Sequence, residues 1–246
     1  MRSLDDPERA QEIQEILKRK FCLRRLYTET YRKFAECLRR SPSEGLALEL
    51  GSGAGFLNQI MPEVLTSDVL PYPSVQQVLD ASHLPFRNGS IRAIFMLNVF
   101  HHISNVEAFL AEAQRCLVVG GRVFIVDPHP GWISAPIYMY IHHEPYDPKA
   151  KDWIFPSTGP LTSANAALAW IVFQRDRQKL MDCFPKLKLE LYRPHTPLRY
   201  WLCGGLRKWC ILPPWSFTMA THLDSFLSGI SPNFGSFVDI ELVKTV

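Results

Sequence analysis

Apolar residues at Ile13, Ile16, Leu17, Phe21, Leu26, Tyr27, Tyr31, Phe34 and Leu38 approximate a stripe at helical spacing, predicting a helical stretch over residues 7–40. Ser41-Pro42-Ser43-Glu44-Gly45 ends it with turn chemistry. The period then changes. Leu46–Leu50 is a short apolar run, followed at once by Gly51-Ser52-Gly53-Ala54-Gly55. A short helix fits residues 56–61, before Pro62. Residues 64–69 and 75–79 read as second and third strands, and residues 91–97 as a fourth. Residues 106–117 have helical spacing with Ser104 as N-cap, Gly120-Gly121 breaks the pattern, and residues 122–127 form a fifth strand. Strands alternating with helices predict a parallel sheet with right-handed crossovers. After Pro128 the pattern loosens into a long insertion, with six further prolines by residue 162. A helix is expected over 163–184. Residues 187–192 alternate like a strand with one wet face. Residues 193–232 are again aromatic and turn-rich, and residues 237–243 alternate cleanly. The last two strands suit an antiparallel end to an otherwise parallel sheet.

Composition narrows the class. A chain of 246 residues with 47% hydrophobic and 21% charged residues is globular, and long enough to fold without a disulfide or metal staple. The net charge of +3 gives no strong field for nucleic acid, which is not expected as a partner. Charge is unevenly placed, however. Residues 46–170 carry 6 Lys and Arg against 10 acids, and residues 171–209 carry 9 against 3. The second, basic and aromatic stretch is either a solvated face or a surface for phosphate or anionic lipid. Six cysteines, Cys22, Cys37, Cys116, Cys183, Cys203 and Cys210, form no C-x-x-C pair and show no zinc spacing with histidine, so no metal site is expected. Residues 1–9 are charged, with no apolar core of a signal peptide, and the apolar stretches 131–141 and 209–220 are too short to span a bilayer. A cytoplasmic protein is expected, peripheral at a membrane if the basic stretch meets lipid.

Four successive strand ends deliver polar groups to one edge of the sheet, where doubly wound folds bind ligands. Glu49, Gly51, Ser52, Gly53 and Gly55 lie at the first strand-to-helix turn, where glycines admit a sharp bend and close backbone approach to a ligand. Asp68 and Val69 end the second strand, and a carboxylate there can accept both hydroxyls of a ribose. Asp80, Ala81 and Ser82 follow the third. Asn98, Val99, His101 and His102 follow the fourth. A nicotinamide fingerprint would need glycine or alanine at position 56, where Phe56 stands.

Five ordered motifs carry a family likeness: Glu49 to Gly55, Asp80-Ala81-Ser82-His83-Leu84-Pro85-Phe86, residues 88–94, Asn98-Val99-Phe100-His101-His102-Ile103, and residues 112–122. Over roughly residues 45–128 the chain resembles class I S-adenosylmethionine-dependent methyltransferases of the small-molecule "type 11" kind. The resemblance implies an α/β, Rossmann-like, doubly wound sheet of seven strands, mostly parallel with an antiparallel last strand. It implies S-adenosyl-L-methionine as cofactor, with the 51–55 loop facing the methionine part, Asp68 the ribose, Asp80 and Ala81 the adenine edge, and Asn98 beside the sulfonium. One domain over 1–246 is then expected: an N-terminal helical lid (1–44), a cofactor-binding core (45–128), and acceptor-side insertions with the closing strands (129–246). The sequence departs from the family at Arg92, where Asp is usual, and at Val118-Val119, where Lys-Pro is usual. Val69-Leu70-Pro71-Tyr72-Pro73 also replaces the usual helix after the second strand with a loop. The expected activity is methyl transfer to a small molecule, at an oxygen of an apolar or lipid-linked compound. A catalytically silent cofactor- or partner-binding module is the alternative.

The remaining candidates lie around the methyl group. His101 and His102 either remove a proton from a hydroxyl acceptor or only shape the pocket. His143, in His142-His143-Glu144-Pro145-Tyr146-Asp147, contacts the acceptor or acts as acid or base, or sits on a solvated loop. Tyr27 and Tyr31, four apart on one helix face, cap the cofactor or pack the core. Trp201, Trp209 and Trp215, interleaved with Arg199, Arg207 and Lys208, form an interfacial belt or a small second core.

Overall fold

The N-terminal apolar stripe folds as two helices joined at Lys20, α1 (Arg9–Arg19) and α2 (Phe21–Arg40), in a computed structural model that describes residues 9–156, 159 and 163–246. This corrects the single helix expected from residue 7, whose first two positions lie outside the described residues. Lys20 has an extended backbone, and its ammonium donates to the carbonyls of Gly205 and Arg207 at 2.6 and 2.9 Å. The stripe of α2 packs on one sheet face, where Phe34 stacks on Phe95 with ring centroids 4.8 Å apart.

Seven strands follow the alternation closely: β1 (Leu46–Leu50), β2 (Val64–Asp68), β3 (Gln77–Val78), β4 (Ile91–Leu97), β5 (Leu117–Pro128), β6 (Leu187–His195) and β7 (Phe237–Lys244). They form one mixed sheet in the order β3-β2-β1-β4-β5-β7-β6. Only β7 runs against the others, between β5 and β6, as the expected antiparallel last strand. Glu49 of β1 is in register with Phe95 of β4, and Phe95 with Phe124 of β5. The parallel strands therefore end together along one edge.

The other face of the sheet is covered by α3 (Val106–Cys116), with Phe100, Phe109, Phe173 and Trp153 in the core beneath. The N-cap of α3 is Asn105, whose side chain accepts from Ala108 N at 3.0 Å, and not Ser104. α4 (Ser134–Tyr140) opens the insertion. The helix expected over 163–184 is broken into α5 (Leu168–Trp170), a π-helical turn (Ile171–Arg175) and α6 (Arg177–Cys183). Its first residues are not helical because Asn165 is tied to Asp147: its side-chain oxygen accepts from Asp147 N and its amide donates to Asp147 O, each at 3.0 Å. α7 (Arg199–Leu202) and α8 (Phe217–Ile230) lie between β6 and β7. After β1 a single 3-10 turn (Leu57–Gln59) replaces the short helix expected over 56–61, and after β2 a loop leads to β3, as the proline pattern implied. The third strand is shorter than expected, with only Gln77 and Val78 paired to β2.

Candidate functional site

Beyond the carboxyl ends of β1, β2 and β4 the chain turns sharply three times. Gly51 has φ +68, and a Cβ there would lie 2.3 Å from Cγ2 of Val99, so only glycine lets the loop pass under the residues that follow β4. Ser52 clamps the loop to β2: its N–H donates to Ser67 O at 2.8 Å, and its hydroxyl accepts from Ser67 N at 3.1 Å. Asp68 completes the brace by accepting from Gly53 N at 2.9 Å and from Leu70 N at 3.0 Å. Glu49, at the end of β1, is buried, and burial raises its carboxyl to about 7 although the Ser52 hydroxyl bonds to it. Asn98 takes the left-handed conformation (φ 56) after β4. Among the described residues four buried side-chain polar atoms lack a partner, and two of them, Glu49 Oε2 and Asn98 Oδ1, belong to residues lining the same cavity. Unpaired buried polar atoms are costly unless a ligand meets them.

That cavity measures about 1480 Å³. A pocket for one ligand is about 300–1000 Å³, so there is room for two molecules side by side. Its lining includes Gly51, Ser52, Gly53, Gly55, Val69, Ala81, Ser82 and Val99 beside Glu49, Asp68 and Asn98. Asp80 also lines it and accepts from Ser82 N at 2.7 Å. Tyr27 and Tyr31 of α2 form part of the wall, the Tyr31 hydroxyl accepting from Phe56 N at 3.3 Å. The opposite wall is apolar and comes from α4, α7 and the loop after α7: Ile137, Tyr138, Ile141, Trp201, Leu206 and Trp209.

At the junction of the two halves lies a polar cluster. His101 Nδ1–H donates to Asp127 at 2.9 Å, and its Nε2 stands 3.4 Å from Glu144. His102 Nδ1–H donates to the Ser163 carbonyl at 3.0 Å, which leaves the lone pair on Nε2, 3.7 Å from Glu144. His142 and His143 approach the same carboxylate at 3.5 and 4.0 Å. Burial opposes charge on His101, but the Asp127 and Glu144 carboxylates outweigh it and pull the imidazole up to about 10. Burial and the neighbouring His101 cation push His102 down to about 4. Burial opposes charge on Glu144 as well, yet the surrounding histidines hold it well below the usual carboxylate range. At neutral pH the cluster thus holds a protonated His101 between two carboxylates, beside a neutral His102. Donor atoms of His101, His102 and Glu144 lie within 4.8 Å of one another.

All seventeen candidate residues line this one cavity, with His143 at its more exposed end. Sequence reasoning left Glu144 and Asp127 off the site. Asp127 carried a usable signal, since it lies at the carboxyl end of β5 beside the ends of β1, β2 and β4. Glu144 stood within the quoted histidine cluster, but only the fold brings it to His101. Arg199 requires a correction: it is buried and paired with Asp224 at 2.7 Å and Glu29 at 3.0 Å, so it is not part of a basic outer surface. The tryptophans divide. Trp201 is a wall residue that donates to Ser236 at 2.9 Å, whereas Trp209 and Trp215 are exposed.

Residues 48–125 match the family model described as a methyltransferase domain. The matched stretch is about a third of the chain. It contains the ends of β1, β2 and β4, and with them every glycine-loop residue of the site. Over 62 residues the chain is 37% identical to the demethylmenaquinone methyltransferase of Tropheryma whipplei (strain Twist), a match covering 24% of this chain and 26% of that protein. The chain thus spans about a quarter of the length of the curated relatives it matches. Among solved structures, geranyl diphosphate C-methyltransferase from Streptomyces coelicolor A3(2) aligns over 89% of this chain and 77% of its own, at 15% identity and TM-score 0.48. The putative methyltransferase in complex with the Haloferax volcanii Trm112 activator aligns over 91% and 94%, at 12% identity and TM-score 0.49.

Proposed function

We propose that the chain transfers the methyl group of S-adenosylmethionine to a hydroxyl of an acceptor with an apolar body. The observation that carries this reading is one cavity with two unlike halves, a braced glycine loop with buried acids on one side and an apolar aromatic wall on the other, meeting at the His101–Glu144 cluster. The cofactor half fits its ligand by charge and by room. S-adenosylmethionine is cationic at its sulfonium and ammonium, and Glu49 Oε2 is a buried acceptor without a partner. The 51–55 loop leaves space where any side chain on Gly51 would strike Val99. Asp68 spends one lone pair of each oxygen on the loop and keeps others for ribose hydroxyls.

The cofactor supplies the activated methyl group, and the protein supplies alignment, dryness and a destination for the acceptor's proton. Methyl transfer to a neutral hydroxyl turns its oxygen into an acidic oxonium, so a weak base suffices. His102 Nε2 is that base: neutral, buried, and held in one tautomer by the Ser163 carbonyl. The imidazolium that forms faces Glu144, which the His101 cation keeps ionised and whose charge steadies it until the proton leaves to solvent. His143, more exposed, orients the acceptor at the mouth.

The acceptor's apolar character follows from the wall of Ile137, Tyr138, Ile141 and Trp201. A membrane source is supported by α8, whose Met219, Leu223, Phe226 and Ile230 lie exposed on one face and continue from Trp215. Among the described residues no helix is long and apolar enough to cross a membrane. Arg207 and Lys208, at the cavity, supply charge for an anionic surface. The test is methyl-group transfer from radiolabelled S-adenosylmethionine to lipid-extract fractions. Label appearing in an apolar product with the wild-type chain, and lost with His102→Ala while cofactor affinity is retained, supports the reading. Absence of cofactor binding in calorimetry overturns it.

A further inference from the structure

Cys22, Cys203 and Cys210 show no metal-binding spacing in the sequence, yet the fold brings their sulfur atoms within 4.8 Å of one another. Cys22 lies in the first turn of α2, Cys203 directly follows α7, and Cys210 comes seven residues later. The chain doubles back between the last two at Gly204 and Gly205, both with positive φ (70 and 48). A Cβ on Gly204 would stand 2.4 Å from the Trp209 carbonyl oxygen. Ile211 N–H then donates to Leu202 O at 3.0 Å, which sets Cys210 beside Cys203. Cys22 and Cys203 are buried, whereas Cys210 is exposed, so the trio is open to solvent on one side. Lys20 is buried against the same loop through its bonds to Gly205 and Arg207, and its ammonium interacts electrostatically with all three sulfurs.

We propose that Cys22, Cys203 and Cys210 bind one thiophilic divalent cation of the Zn2+ class. Three sulfurs suit a soft or borderline ion and not Mg2+ or Ca2+. As the ion binds, each thiol releases its proton to solvent and a sulfur–metal bond takes its place. Three thiolates around a dication carry a net charge of −1, which the Lys20 ammonium balances. Zinc–thiolate bonds of about 2.3 Å place sulfurs roughly 3.8 Å apart in a tetrahedral site, so the trio needs only a small contraction. The exposed side at Cys210 leaves the fourth position to water. Residues 204–209 line the cavity, and α2 carries Tyr27 and Tyr31 on the cofactor side, so the ion ties the loop at the cavity mouth to the helix across from it. This inference does not depend on the methyltransferase reading.

The test uses the reduced, metal-free full chain without S-adenosylmethionine. Titration with Cd2+ should produce an ultraviolet thiolate-to-cadmium charge-transfer band that saturates at one ion per chain and is removed by Zn2+. Cys22→Ser, Cys203→Ser and Cys210→Ser should each lose the band, and Cys183→Ser on α6 should keep it. Cys210 is exposed, so its variant tests the site even if the two buried substitutions fail to fold. In a second measurement Zn2+ should protect Cys210, one of the two exposed cysteines, from alkylation of the folded chain, with Cys183 as the unprotected control, read by intact mass. No band, a band that survives Cys210→Ser, equal alkylation with and without Zn2+, or a disulfide among the three in the reduced protein would each overturn the proposal. A band lost in His102→Ala but kept in Cys22→Ser would also overturn it, by moving the ion to the histidine cluster.

Discussion

Glu49 sets folding against binding. Its folded-state pKa of about 7 lies above the ordinary 4.5. The raised value means that the proton-bound form is favoured in the fold. This stabilises the protein at acidic pH and is lost progressively as pH rises toward 7. Glu49→Gln is therefore expected to raise the melting temperature at pH 8 by several degrees, on the order of 3 kcal/mol, while weakening S-adenosylmethionine binding. Calorimetry at pH 5 and pH 8, with and without cofactor, checks both signs; a variant less stable at pH 8 contradicts the assignment. The histidines predict a pH profile of a particular shape. With His102 near 4 and His101 near 10, kcat/KM should stay flat from about pH 5 to 9. Asp127→Asn removes the main carboxylate support of His101, so its upper limb should move to lower pH; an unchanged limb separates Asp127 from the reaction. The strand-end residues were legible in the sequence because each ends an apolar run, where a parallel sheet collects its polar groups. The Asp127–His101–Glu144 chain was not, since it joins positions 26 and 43 residues from His101 that only packing brings together.

Two elements show where local pattern stops being informative. The break between α1 and α2 was hidden because the apolar stripe continues through it; what ends α1 is the bond of Lys20 to carbonyls 185 and 187 residues away. The helix over 163–184 failed at its start for a comparable reason, its first residues being held by Asp147, while its far end at Cys183 came within one residue of the expected position. By contrast β7 followed its alternation to within one residue, held between β5 and β6 along its whole length, whereas β5 begins at Leu117, five residues before its expected start. α8 carries a prediction of its own. Its exposed apolar face carries Phe226 at 65% exposure and is continued before the helix by Trp215 at 78%. Met219→Glu with Phe226→Glu should abolish co-sedimentation with vesicles of anionic phospholipid and leave turnover of a detergent-solubilised acceptor unchanged. Wild-type chain that ignores such vesicles would refute the membrane role of this helix.

For the molecule as a whole, cofactor binding should stabilise the native state by about 2.7 kcal/mol at a concentration of 100 Kd. Asp68→Ala, which loses the brace on Gly53 as well as a ribose partner, should reduce that thermal shift and also lower the melting temperature without ligand. A variant that loses only the ligand-dependent shift would show that the brace is dispensable. The seven-stranded sheet was expected from the order of motifs, but the extent of the cavity was not. Its far wall is assembled from α4, α7 and the following loop, segments with no periodicity of their own.

The place of β7 also dictates an order of assembly. It pairs Arg122 of β5 with Val243 and Leu187 of β6 with Lys244, so two strands that precede it in the chain stay apart until it arrives. The β5–β7 contacts, 121 residues apart at Arg122 and Val243, close slowly, whereas β1 meets β2 and β4 across 17 residues (Ala47 and Val64) and 45 residues (Leu46 and Ile91). Phe237, a wall residue of the cavity, comes in with β7. A refolding chain should therefore regain the glycine loop and its ligand first, and the acceptor's enclosure last. Stopped-flow fluorescence from Trp201, beside Phe237, would then lag behind recovery of cofactor binding.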